Sequence, residues 1–216
     1  MQTETAPRKD RFPPQVPFII GNEACERFSF YGMRNILTVF LIDYLLREAS
    51  PDPAVRTSLA KANFHLFVSG VYFFPLLGGY IADRYFGKYR TILWLSILYV
   101  IGHACLAIFE SNPTGFYTGL FLIALGSGGI KPCVSAMVGD QFTEENKHLV
   151  NKVFAIFYWS INFGSFFASL LIPKTLKIFG RPVCTSPPGA RYAAVSVYSP
   201  ATCAASSLRY PSPNWR

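Results

Sequence analysis

The stretch FHLFVSGVYFFPLLGGYIA, residues 64–82, contains no Asp, Glu, Lys or Arg. The stretch TILWLSILYVIGHACLAIF, residues 91–109, also contains none of these four charged residues. Each is close to the ~20 residues that an α-helix needs to cross the hydrocarbon core of a bilayer. Neither alternates polar and apolar residues as the strand of a membrane barrel does, so helices are the structure that can satisfy their backbone in lipid. The two stretches therefore predict an all-α membrane protein.

Three further apolar stretches extend this prediction to five spans. They cover about residues 16–46, 115–138 and 153–172, and the first is the most polar. Over the whole chain 51% of residues are hydrophobic and 15% are charged, whereas about a quarter are charged in soluble domains. We therefore expect a polytopic membrane protein with a cytoplasmic amino-terminal tail at residues 1–15 and a bundle of five transmembrane helices at residues 16–179.

Lysine and arginine between the spans predict the orientation, because cytoplasmic loops carry an excess of these residues. The amino-terminal side has Arg8, Lys9, Arg11, Arg84, Lys88, Arg90, Lys147 and Lys152. The opposite side has Arg47, Arg56, Lys61, Lys174 and Lys177. The bias places the amino terminus in the cytoplasm, and we expect a multi-pass protein of a bacterial inner (plasma) membrane. The net charge of +8 does not indicate nucleic acid as a partner, because no basic face or arginine-rich arm accompanies it.

The segment 180–216 differs abruptly from the rest of the chain. Residues 181–216 contain no Asp, Glu, Lys, Ile, Phe or Met and are rich in Pro, Ser and Ala. Its prolines would break any sixth membrane helix. Two interpretations are open, a natural disordered tail and out-of-frame translation after a frameshift near residue 180. We favour the frameshift, because the chain stops where a further membrane helix is expected.

The first span carries the densest set of ionisable side chains. Glu23, Arg27 and Arg34 lie on nearly one line of a helix, which turns by about 100° per residue, and Glu26 and Tyr31 flank that line. Ionisable groups are costly in lipid, so we expect this stripe to face an aqueous cavity. A carboxylate beside a guanidinium can hold or release a proton according to whether that partner is present, which is what proton coupling requires. The alternatives are a static ion-pair network and an interfacial helix, although the apolar residues that follow argue against the second.

Isolated polar residues occur in the later spans. Lys131, in GSGGIKPCVS of the fourth span, needs a carboxylate partner or a cavity at that depth. The acids of the first span are the natural candidates, and snorkelling to the membrane interface is the alternative. Tyr72, Tyr158 and Asn162 are single polar groups in the second and fifth spans, and each is individually commoner as a hydrogen-bonding residue in helix packing than as a ligand contact.

The connection between the second and third spans reads GGYIADRYFGKYR. Its charged and turn-forming residues, which could hold neighbouring helix ends together in a tight cytoplasmic turn, are Asp83, Arg84, Gly87, Lys88 and Arg90. A plain positively charged loop is the alternative. The sequence contains no Ser/His/Asp arrangement, phosphate-binding glycine loop or zinc-ligand spacing, so it predicts neither an enzyme nor a bound cofactor or metal.

With these segments, the chain resembles the proton-dependent oligopeptide transporter (POT, or PTR) family of the major facilitator superfamily. EACERFSFYG, residues 23–32, resembles that family's ExxER-F-Y-G motif. GGYIADRYFGKYRTI resembles both the major facilitator loop motif and a family signature, and FYWSINFGSF, residues 157–166, resembles a second signature. The resemblance covers about residues 12–179.

This resemblance implies a fold and a function. The chain would carry the first five helices of the amino-terminal six-helix bundle, with the second bundle missing, and the complete transporter would move di- and tripeptides together with protons, without a cofactor. The residues implied in proton coupling are Glu23, Glu26, Arg27 and Lys131. Those implied in binding the peptide are Tyr31, Arg34, Tyr72, Lys131, Tyr158 and Asn162. Phe30 stands where many members of the family have tyrosine.

Three interpretations of the molecule are open. It is part of a peptide–proton symporter, a transport-inactive amino-terminal fragment, or a membrane-bound binding protein with half a peptide pocket. Helix faces that lack their partners would expose a fragment to proteolysis, so stable accumulation in the membrane distinguishes the third interpretation from the second.

Overall fold

The structure, a computed structural model, describes residues 12–47, 49–109, 111–143 and 146–178, with side chains as far as residue 174. The basic residues expected before the first span and the segment 180–216 lie outside these described residues. The long α-helices in the described part are α1 (Val16–Phe40), α2 (Pro53–Ile81), α3 (Lys88–Ile108), α4 (Pro113–Gly139) and α5 (Val150–Ile178). One π-helical turn extends α1 at Leu41–Leu45, another extends α2 at Ala82–Phe86, and a 3-10 turn at Lys147–Leu149 precedes α5. The all-α prediction is confirmed.

Two of the helices begin at clear capping signals. Asp52 Oδ1 accepts a hydrogen bond of 2.8 Å from the backbone N–H of Ala54, and Asn112 Oδ1 accepts one of 3.0 Å from that of Thr114. A proline follows each capping residue, at a position where its missing N–H would have no partner in any case. The second span therefore begins well before the predicted residue 64. Hydropathy locates the apolar part of a helix, and the polar first turns of α2 lie outside that part.

Within the described residues, four helical segments are long and apolar enough to cross a membrane, namely Pro53–Phe86, Lys88–Ile108, Pro113–Gly139 and Lys147–Lys174. The segment α1 is long enough, but it carries Glu23, Glu26, Arg27 and Arg34. Length and composition thus support four of the five expected spans directly. Whether α1 can also cross a membrane depends on whether its charged side chains are shielded from lipid.

The helix α4 lies between α2 and α3 and packs closely on both. A methyl group built on Gly78 of α2 would lie only 2.5 Å from Cα of Gly129 in α4. One built on Gly102 of α3 would lie 2.9 Å from the carbonyl oxygen of Gly119. Helices in lipid associate through such close approaches of small residues. The glycines of α4 therefore place this helix at the centre of the described bundle.

The helices α1 and α5 run side by side in the same direction. A methyl group on Gly164 would lie 2.7 Å from the carbonyl oxygen of Ala24, and one on Gly32 would lie 3.1 Å from Ile172 Cγ1. Asn35 Nδ2, further along α1, donates a 3.0 Å hydrogen bond to Ser169 Oγ. These contacts place α5 alongside the charged part of α1.

Candidate functional site

A cluster of three charged side chains lies buried on α1, and it is called the charged cluster below. Arg27 Nε lies 3.0 Å from Glu23 Oε1, one helical turn earlier, and also pairs with Glu26 Oε2. Glu23, Glu26 and Arg27 are 2%, 6% and 3% exposed. Two carboxylates thus share one guanidinium. When both are ionised the cluster has an excess negative charge, which is costly in a buried place and can be neutralised by a proton or a further cation.

A serine of α4 completes the charged cluster. Ser127 Oγ donates a 2.8 Å hydrogen bond to Glu26 Oε1 and accepts one of 3.4 Å from Arg27 Nη2. The serine is 1% exposed. This residue was not predicted from the sequence, although it lies within the run GSGGIKPCVS, one turn before Lys131. A serine among glycines carries no signal of its own until the packing of α4 against α1 is known.

Aromatic rings lie close to the charged cluster. Arg27 Cζ lies 5.6 Å from the centroid of the Phe30 ring, and Phe30 stacks on Phe67 of α2 with ring centroids 6.0 Å apart. On the side of α3, Tyr99 is 1% exposed and would meet a methyl group on Gly126 at 2.8 Å. The charged cluster is therefore enclosed by protein, whereas the sequence predicted that it would face an aqueous cavity. The physical reason is that α4 and α5 both pack against this part of α1, with Ser127 of α4 bonded to Glu26 and Gly164 of α5 close to the backbone of Ala24.

Lys131 lies apart from the acids of α1. Its side chain is exposed, and none of the ion pairs among the described residues includes it. The expected pairing with Glu23 or Glu26 is thus not seen in this structure, because Arg27 is on the same helix and reaches both carboxylates. Lys131 lies one helical turn after Ser127 on α4. It is therefore the cation of α4 that is next in the chain to the serine bonded to the charged cluster.

Other expected substrate residues lie on exposed or partly exposed helix faces. Tyr72 and Tyr158 are 70% and 60% exposed. Asn162 donates a 2.9 Å hydrogen bond to the backbone carbonyl of Tyr158 within α5. Arg34 does not join the charged cluster, since its Cζ lies 5.4 Å from the centroid of the Phe64 ring in α2. Tyr31 makes an edge contact with Phe30, with ring centroids 5.6 Å apart.

The connection between α2 and α3 is mostly helical, and its sharp turn is at Gly87. This glycine has φ of +75°, a conformation that favours glycine. Lys88 Nζ lies 2.5 Å from Asp140 Oδ2 at the carboxyl end of α4. Asp83, Arg84 and Arg90 are exposed, and among the described ion pairs none involves them. One charge of this connection therefore reaches a neighbouring helix end, and its partner Asp140 was not identified from the sequence.

Most of the chain is similar to proteins of known families. Residues 89–183 match the PTR2 domain of the POT family. Solute carrier family 15 member 2 of Danio rerio is 45% identical over 170 residues, which are 75% of this chain and 22% of that protein. Peptide transporter 3 of Caenorhabditis elegans is 44% identical over 183 residues, which are 80% of this chain and 25% of that protein. The chain thus spans about a quarter of the length of these relatives.

Solved structures agree with the sequence relatives. The crystal structure of the POT family transporter PepTSo matches with a TM-score of 0.83 and 55% identity, covering 95% of this chain and 40% of that one. A crystal structure of an auto-inhibited POT family peptide transporter matches with a TM-score of 0.82 and 52% identity, covering 94% of this chain and 39% of that one. The likeness therefore extends over nearly all of this chain and over less than half of each solved transporter.

Proposed function

Since this chain belongs to the POT family, a family of transporters, we propose that it forms part of a transporter that moves di- and tripeptides across a membrane together with protons. The chain is an integral multi-pass membrane protein, because its family and its apolar helices agree on that point. The activity, the peptide substrate and the proton are proposals, since this chain spans only part of the transporters that it resembles.

The charged cluster is the single observation that carries the proposal of proton coupling. It contains two carboxylates and one guanidinium, all less than 10% exposed. Ionisable residues within membrane helices are expensive and are usually functional. Uptake of one proton by Glu23 or Glu26 would balance the charge of Arg27, and arrival of a cation would release that proton. We assign the proton-coupling role to Glu23, Glu26 and Arg27, with Lys131 as the cation that competes for the acids.

The peptide site is proposed on the helix faces that the described residues leave open. Tyr72 and Tyr158 are exposed on α2 and α5, and in a membrane a tyrosine hydroxyl needs a polar partner or a cavity. Asn162 is exposed one turn after Tyr158, to whose backbone carbonyl its amide donates. Arg34 and Lys131 would supply positive charge for the carboxylate end of a peptide, and Tyr31 would line the same cavity. A second bundle would close this cavity from the other side, as in transporters that hold their substrate between two halves.

The connection around Gly87 is proposed to act at the cytoplasmic gate, with Asp83, Arg84, Gly87, Lys88 and Arg90 as its residues. The Lys88–Asp140 pair is about one-third to one-half exposed, so its strength is limited and it can break and reform. We place this end of the bundle and the amino terminus in the cytoplasm because of the excess of lysine and arginine on that side. A bacterial inner membrane as the host membrane stays a prediction from the sequence.

Uptake of a labelled dipeptide tests the proposal. Two proteins would be reconstituted in liposomes, the 216-residue chain and an extended chain in which residues 1–179 continue into the remainder of a POT-family relative. We expect an inward proton gradient to drive accumulation by the extended chain. Gradient-independent uptake by the extended chain would refute proton coupling, and an absence of both uptake and dipeptide binding would refute a peptide substrate. Saturable binding without uptake by the 216-residue chain would indicate a membrane binding protein with half a pocket.

A further inference from the structure

The hydroxyl group of Ser127 joins the charged cluster of α1 to α4. We propose that Ser127 is a positioning residue, which holds the Glu26 carboxylate against Arg27 and thereby helps to determine the pH at which Glu26 takes up a proton, together with Glu23 and Arg27 of α1 and Tyr99 of α3. This inference rests on the proposed function, in which the charged cluster couples proton movement to transport. Ser127 itself is not proposed to carry the proton or to contact the peptide.

The direction of the Ser127 hydroxyl group sets it apart from other serines of the bundle. Ser135, Ser160 and Ser165 donate to backbone carbonyls of their own helices, at 3.2, 2.8 and 2.9 Å, as serines in membrane helices commonly do. Ser127 instead donates across to Glu26 Oε1. A serine hydroxyl has one proton to donate, so donation to Glu26 leaves the carbonyls of α4 without it. The hydroxyl group thus donates its proton to the charged cluster and not to its own helix.

The same oxygen also accepts a hydrogen bond from Arg27. Arg27 Nη2 donates to Ser127 Oγ at 3.4 Å, while Arg27 Nε pairs with Glu23 Oε1 and Glu26 Oε2. The serine oxygen therefore lies between the guanidinium and the carboxylate and is in contact with both. A hydrogen bond from an O–H group to an ionised carboxylate is stronger than one to a neutral acid, so this contact favours the ionised form of Glu26.

The position of Ser127 is fixed by the packing of α4 on two other helices. On one side, a methyl group on Gly126 would meet Tyr99 Cβ of α3 at 2.8 Å. On the other, one on Gly128 would meet the carbonyl oxygen of Val71 in α2 at 2.9 Å. The residues next to Ser127 in the chain are thus held by contacts that leave no room for side chains. A shift of α4 relative to α1 would therefore break the hydrogen bond to Glu26 and alter its proton affinity.

Infrared titration of the carboxyl groups tests this inference without requiring transport. The 216-residue chain would be reconstituted in lipid nanodiscs, and the C=O band of the protonated Glu26 side chain would be identified by its loss in Glu26→Gln. In Ser127→Ala we expect this band to appear at a pH about one unit higher than in the parent, as for loss of one hydrogen bond to a charged group. Ser127→Thr keeps the hydroxyl group and should restore the parent titration.

The control variant is Ser160→Ala. The residue Ser160 is 6% exposed, and its hydroxyl group donates to a backbone carbonyl within α5. It should titrate as the parent does. If Ser127→Ala does not fold, Ser127→Cys replaces it, because a thiol has nearly the same shape and is a weak donor. A parent-like titration in the Ser127 variant, or an equal shift in the Ser160 control, would overturn the inference. If the infrared shift is present but the extended chain without substitutions shows no gradient-driven uptake, the proposed function is overturned and the inference about Ser127 stands.

Discussion

Arg27 Nε lies 3.0 Å from Glu23 Oε1 on the same face of α1, and both side chains are 3% exposed. Because Glu26 shares the same guanidinium, Arg27 is the cation that makes two buried acids tolerable. The first prediction concerns the loss of this cation.

Arg27→Gln should destabilise the protein by about 3–5 kcal/mol, because it leaves uncompensated carboxyl groups in a buried place. Arg27→Lys should recover part of this loss, since lysine keeps the charge and lacks the planar fork of donors. The measurement is thermal unfolding in detergent, followed by tryptophan fluorescence. The control is Arg47→Gln, which removes an exposed arginine. Equal melting temperatures for the two glutamine variants would contradict the assignment of Arg27 as the compensating cation.

Adjacent glycines of α2 provide the second prediction. Gly78→Ala should destabilise the crossing of α2 and α4 by about 1–3 kcal/mol, because the added methyl group has no room beside Gly129. A methyl group on Gly79 meets nothing within 4 Å, so Gly79→Ala should be neutral or stabilise the helix by up to ~1 kcal/mol. Thermal unfolding of the two variants checks the difference. A Gly79→Ala variant as unstable as Gly78→Ala would mean that the described crossing of α2 and α4 is wrong.

The third prediction concerns the Lys88–Asp140 pair. Lys88 is at the start of α3 and Asp140 at the end of α4, so each charge opposes the dipole of its own helix. The side chains are 32% and 52% exposed, so a double-mutant cycle should give a coupling energy of only ~0.2–1 kcal/mol, falling with added salt. Lys61→Gln with Asp140→Asn serves as the control pair and should show no coupling, because Lys61 lies in the first part of α2, at the other end of that helix from its connection to α3. A coupling energy several times larger would argue that the pair is a permanent clamp and not a gate contact.

The fourth prediction separates a substrate role of Lys131 from a structural one. In the extended chain, Lys131→Ala should weaken binding of a dipeptide more than binding of the same dipeptide with an amidated carboxyl end. The reason is that only the first ligand has a carboxylate for the lysine to bind. Competition against a labelled dipeptide measures both affinities. Lys61→Ala, which removes an exposed lysine of α2, should leave both affinities at the parent values. Equal losses for both ligands in Lys131→Ala would remove Lys131 from the peptide site.

The sequence predicted the fold well because the decisive signals are local. An apolar run of membrane length is sufficient to predict a helix in lipid, and residues 91–109 correspond closely to α3. The spacing of Glu23 and Arg27 by one turn likewise predicted their common face, and the structure places them in contact. The early start of α2 was missed because its polar turns at Asp52 and Pro53 give a capping signal and no hydropathy signal.

The contacts that the sequence did not predict all depend on packing between distant segments. Ser127 and Asp140 have no local feature that distinguishes them from other serines and acids, and each matters because another helix lies opposite. Enclosure of the charged cluster is a further example, since the sequence cannot tell how closely α4 approaches α1. The roles of the substrate residues stay predictions, because Tyr72 and Tyr158 lie on faces that the described residues do not cover.

The most direct test of the account compares two kinds of transport in one variant, Glu26→Gln of the extended chain. Gradient-driven accumulation of a dipeptide requires proton uptake by the charged cluster, whereas exchange of labelled for unlabelled dipeptide across the membrane requires only the peptide site. We predict that Glu26→Gln falls to the accumulation seen without a gradient and still exchanges dipeptide, while Asp43→Asn, which changes an exposed acid near the end of α1, behaves as the parent. Accumulation by Glu26→Gln at the parent level would contradict the assignment of proton coupling to the charged cluster.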